Sequence, residues 1–130
     1  MERPAMTQLC APWSLDVERG PDWLFIRLHP PDDAALPSAP LADTIWQQLQ
    51  QHFTYRVVLE MDQVSMLPSW LVGQLVLLRK RIDQHGGLLR LCGCTAGNQE
   101  VLEATRLGAC FPRYSDRQEA VLGWRPTQPR

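Results

Sequence analysis

The most constraining stretch of this chain is its middle. Tyr55 to Met61 is a short apolar run ending in polar residues, suited to a buried parallel strand. A helical pattern follows from about Pro68 to His85, closed by Gly86 and Gly87, and Leu88 to Cys92 is another run of strand length. A strand, a crossover helix and a strand make the two strands parallel neighbours, since right-handed crossovers pack back onto the sheet. Upstream, Trp13, Leu15 and Val17 alternate with polar residues, and Gly20-Pro21-Asp22 leads into an apolar run, Trp23 to Leu28. That pattern predicts a hairpin. Prolines at 30, 31, 37 and 40 make residues 29–43 a loop, and Asp43 reads as the cap of a helix from Thr44 to His52. Downstream, the pattern predicts a helix from Asn98 to Leu107, a short strand from Cys110 to Tyr114, and a last helix from Ser115 to Leu122 capped by Ser115 or Asp116. The expected fold is therefore α/β: a mixed sheet of about five strands, opening with a hairpin and continuing parallel, with about four packed helices. Residues 1–12 read as a loose N-terminal arm, 13–123 as the domain, and 124–130 as a frayed tail.

With 130 residues the chain suits one domain that needs no metal or disulfide staple. A formal net charge of −1 removes the field expected of a nucleic-acid binder and leaves self-association into a homo-oligomer open. The N-terminus lacks the apolar core of a secretory signal, and the longest apolar run, Leu75–Leu78, is far too short for a membrane span. Cys10, Cys92, Cys94 and Cys110 accordingly read as reduced thiols of a cytoplasmic protein.

Little in the chain suggests chemistry. Cys92 and Cys94, two apart, would point the same way on a strand, but no further ligands stand near them in sequence, and His29, His52 and His85 have no ligand spacing. Glu60 and Asp62 end a predicted strand without a partner nucleophile and read as a solvated strand end. No phosphate loop, nucleophile elbow or H-E-x-x-H is present. Neither enzymatic turnover, a metal nor a cofactor is expected.

The stretch Val57-Val58-Leu59-Glu60-Met61-Asp62-Gln63-Val64-Ser65-Met66-Leu67-Pro68-Ser69 resembles the STAS domain of anti-sigma factor antagonists: an apolar strand ending in an acid, a loop, and a serine opening the next helix. His85-Gly86-Gly87-Leu88-Leu89-Arg90-Leu91 resembles that family's glycine-led strand, and Leu102, Leu107, Phe111, Tyr114 and Ala120 fall where it places apolar residues. The resemblance spans about residues 13–122 and implies a regulatory module that binds an anti-sigma factor or a related serine kinase. It also implies that Ser69 is the phosphate acceptor, although Pro68 stands where the family has aspartate and Trp70-Leu71 where it has small residues.

Helical geometry adds a second indication. Leu71, Leu75, Leu78 and Ile82 share one narrow face, the expected core, while Trp70 and Leu77 fall together on a shoulder, with Gln74 and Arg81 between. The expected partner surface is Met66, Pro68, Ser69, Trp70, Gln74 and Leu77; the alternative for Trp70 is that the proline-rich loop covers it within the same chain. Two other readings stay open. Ser69 is then merely a helix cap in a constitutive assembly subunit without a switch, or the domain binds a small ligand or nucleotide.

Overall fold

A computed structural model describes residues 5–7, 11–33, 35–105, 111 and 113–123. Among them the order is β1 (Ala5–Thr7), β2 (Ser14–Arg19), β3 (Leu24–His29), α1 (Leu41–Gln51), β4 (Arg56–Glu60), α2 (Ser69–Gln84), β5 (Leu88–Cys92), α3 (Ala96–Ala104), β6 (Arg113–Tyr114) and α4 (Arg117–Leu122). The strands lie side by side in sequence order, the first three antiparallel and β3 to β6 parallel. This is the mixed sheet with four helices that the sequence predicts.

The differences are local. Residues 5–7, in the segment read as a loose arm, pair with Leu15–Val17 and add a sixth strand. The free edge of β2 offers unpaired N–H and C=O groups, which any extended segment can satisfy. The first helix begins at Leu41, so Asp43 is not its cap. Instead Gln74 Oε1 accepts from the Ala42 N–H at 2.9 Å, and Asp43 pairs with Arg81 at 3.2 Å. Both contacts join α1 to α2. The third helix starts two residues earlier than expected, at Ala96, because Thr95 accepts from Asn98 N–H and caps it. Of the strand expected over Cys110–Tyr114, Arg113 and Tyr114 pair with β5, while Cys110 and Leu107 fall outside the described residues.

Strand alternation divides the apolar residues between two faces. Leu15, Val17, Leu24, Ile26, Leu28, Val57, Leu59, Leu89 and Leu91 meet α1, α2 and Leu102 of α3 in the main core. The opposite face carries Trp23, Phe25, Val58 and Cys92, which pack against Ala120 of α4. The core face of α2 is as expected: Leu71, Leu75, Leu78 and Ile82 are all buried.

Candidate functional site

The parallel strands run their C-terminal ends toward the loop of residues 61–68, which leads β4 into α2. Open α/β sheets tend to place functional groups at such ends. Three apolar side chains, Met61, Val64 and Leu67, root the loop in the core. Its backbone is held by Asn98, a buried residue of α3 whose Nδ2 donates to the Val64 carbonyl at 2.8 Å. Every third or so residue is thus buried, which turns Ser65 and Met66 outward; Met66 is 76% exposed.

Ser69 follows as the first residue of α2 and is exposed. It is not the cap: Pro68 occupies that position, no side chain caps this end, and the first turn holds no acid. The N–H groups of Leu71 and Val72 both turn back to the Pro68 carbonyl, at 3.0 and 3.2 Å. Those of Ser69 and Trp70, at the positive end of the helix dipole, are the ones a first turn leaves over.

The other residues expected at the partner surface divide into outward and inward ones. Leu77 is 53% exposed, two turns along the stripe from Trp70. Trp70 is half-buried, its ring edge-on to Trp13 with centroids 5.3 Å apart. Trp13 in turn donates from Nε1 to the Ala35 carbonyl at 2.8 Å, which ties the proline-rich loop alongside. An open cleft of about 320 Å³ remains, lined by Leu36–Leu41, Trp70 and Gln74. Gln74 is engaged in capping α1, so its carboxamide oxygen is not offered to a partner. Sequence periodicity could not give the cleft, because its second wall is a loop.

Two expectations need correction. Glu60 is not solvated: it is buried and forked by Arg117, with Nη2–Oε1 at 2.8 Å and Nε–Oε2 at 3.0 Å, while Arg27 approaches at 3.4 Å. Arg27 also meets Asp62 at 3.0 Å. Burial works against the charged form of Asp62, but hydrogen bonds from Gln63 and Arg27 outweigh it and hold the carboxyl below its ordinary range. The arginines that satisfy Glu60 lie far along the chain, and no spacing rule connects them. Cys92 and Cys94, in turn, do not point the same way. The strand ends at Cys92, and Gly93 at φ +74° turns the chain, so Cys92 joins the α4-side cluster and Cys94 packs against the main core.

Both thiols are held in the protonated form by the same physics. Burial, reinforced by the charges of Glu60 and Asp62, pushes Cys92 up to about 12, and burial pushes Cys94 up to about 11. At pH 8 the native sites therefore hold ~100- to 1000-fold less thiolate than a free cysteine. With Cys10 and Cys110 replaced by serine, Ellman's reagent is expected to label the native protein at pH 8 only slowly and the urea-unfolded protein at once. A raised thiol pKa leaves stability intact below the unfolded value of about 9 and erodes it as pH climbs toward 11–12, where only the unfolded thiols ionise freely. No group of three or more His, Cys, Asp or Glu residues that could hold a metal occurs among the described residues. No described helix is long and apolar enough to cross a membrane.

Comparison with known proteins agrees with this architecture. No curated protein matches the chain. Among solved structures, an anti-sigma factor antagonist from Mycobacterium paratuberculosis aligns over 88% of this chain and 97% of its own, with a TM-score of 0.69 and 18% identity. A STAS domain protein from Planctomyces limnophilus aligns over 84% and 96%, with a TM-score of 0.60 and 24% identity. SpoIIAA, a cell fate determinant of Bacillus solved in phosphorylated form, aligns over 84% and 97%, with a TM-score of 0.60 and 16% identity. The family model for the STAS domain matches residues 17–120, and the chain belongs to that family.

Proposed function

We propose that this domain is a protein-binding switch of the anti-sigma factor antagonist type. Its partner is an anti-sigma factor or a related serine kinase, docked on the 61–68 loop and the first turns of α2. The observation that carries this reading is Ser69, exposed at an uncapped helix start with no acid in the first turn. A phosphoryl group there gains the unpaired N–H groups and the helix dipole, and places about −1.5 to −2 charges on the surface a partner would meet. Met66 supplies an exposed apolar contact beside it and Leu77 another two turns along the helix, with Trp70 at the rim. SpoIIAA, with the same fold, is known in a phosphorylated and an unphosphorylated form.

Intact mass of the protein from its native host, followed by peptide mapping across Ser69, is expected to find a single phosphate on that residue. Ser69→Asp should weaken capture of the kinase partner by about tenfold, and Ser69→Ala should leave it unchanged. Unmodified protein under every growth condition, with equal affinity for both variants, would replace the switch by a constitutive assembly role.

A further inference from the structure

The helix α4 is attached to the sheet in a different way from α1 and α2. It is six residues long, and Ala120 is its one buried residue among those described. Leu122 is 64% exposed and Val121 37%. Buried apolar area therefore contributes little to its docking, whereas α1 and α2 each bury five or more residues.

Arginines do the holding instead. From the helix, Arg117 reaches the sheet, forks Glu60, meets Glu18 at 3.1 Å and lies over the Phe25 ring at 4.3 Å. From the sheet, Arg90 reaches the helix and donates to the Ala120 carbonyl at 2.7 Å, its guanidinium 4.9 Å from the Trp23 ring. One clasp thus grips the first turn and the other the last. The helix also closes its own ends: Asp116 accepts from Glu119 N–H at 2.9 Å, Glu119 accepts from Ser115 N–H, and Gly123 at φ +81° caps the C-terminus. Beneath it lie Trp23, Phe25, Val58, Cys92 and Tyr114, a strip of apolar and aromatic side chains on the sheet.

From this we infer that α4 is a releasable cover, latched by Arg117 and Arg90, whose undocking bares the aromatic strip while the rest of the sheet stays folded. The latch uses fewer groups than the main core, so it opens at lower free energy than global unfolding, as expected of an element with little buried apolar area. One of the acids Arg117 grips, Glu60, ends β4 just before the 61–68 loop, so opening is felt where that loop starts. The inference does not depend on phosphorylation of Ser69.

Hydrogen–deuterium exchange of the full chain tests it. The peptide over 115–123 should exchange at least tenfold faster than those over β3 and β4 in the native protein. Arg117→Gln, and separately Arg90→Gln, should speed that peptide by a further tenfold or so, the loss of charge-assisted hydrogen bonds. Either should speed β3 and β4 by no more than the same factor, because those bonds are absent from the opened and the unfolded states alike, so that the gap between helix and strands persists. Exchange of 115–123 in step with β4 in the unaltered protein would overturn the inference. So would variants that speed β3 and β4 but leave 115–123 unchanged, since the opening of α4 would then not break the two clasps. The comparison within the unaltered protein stands even if a variant fails to fold.

Discussion

Gly87→Ala is expected to destabilise the domain by about 3 kcal/mol and Gly86→Ala by only about 1, although the two glycines are adjacent. They close α2 together. The Gly87 N–H donates to the Ile82 carbonyl at 2.9 Å and the Gly86 N–H to that of Asp83 at 3.1 Å, the paired bonds of a Schellman ending. Gly86 supplies the left-handed residue at φ +71°, and a methyl group on it would enter open space. Its cost is therefore backbone strain alone. Gly87 has no such conformational demand. A Cβ there would run into the carbonyl oxygen of Tyr55, which accepts the Leu88 N–H at 3.0 Å as β5 starts beside β4. Backbone cannot swing aside as a flexible side chain would, so the strand entry must move. It would carry with it the stacking of His85 on Tyr55, whose ring centroids lie 5.3 Å apart. Urea or thermal unfolding of both variants checks the ordering; for a domain of this size the larger loss corresponds to roughly 10 °C in Tm. Equal losses would mean that the close approach to Tyr55 is relieved at little cost.

This pair also shows what the chain disclosed before folding. Two glycines after a helical pattern mark a helix end in any sequence, and alternation at Trp13–Val17 marks a half-buried strand, because both signals are local. The sheet order followed, since crossover handedness leaves few arrangements for strands and helices in this sequence. Contacts between distant segments were not legible. Nothing local says that Gln74 rather than Asp43 serves the start of α1, where a side chain from a neighbouring helix accepts from the Ala42 N–H. Glu60 looked solvated for the same reason: Arg117, which makes its burial tolerable, lies 57 residues away. At the candidate site, the loop and the exposed serine were legible, whereas the Trp13–Trp70 contact and the cleft beside it needed the proline-rich loop in place.

The face of α2 that sequence did predict gives the sharpest contrast of all. Leu75→Ala should cost about 3 kcal/mol, since the side chain is 1% exposed in the main core and its removal leaves a cavity that a sheet-packed helix only partly closes. Leu77→Ala, two residues on, should change stability by less than about 0.5 kcal/mol, because its side chain is already 53% in water and the change to alanine favours a helix slightly. Thermal unfolding separates the two without any knowledge of a partner. Binding reverses the order. If the start of α2 and its outer shoulder meet the kinase, Leu77→Ala weakens that complex while leaving the fold intact, and Leu75→Ala weakens it only in proportion to the fraction unfolded. A Leu77→Ala protein with full stability and full affinity would confine the docking surface to Met66, Ser69 and the rim of Trp70. The reason is geometric: Leu77 lies two turns, roughly 10 Å, along the helix from Trp70, beyond the reach of a contact restricted to the loop and first turn.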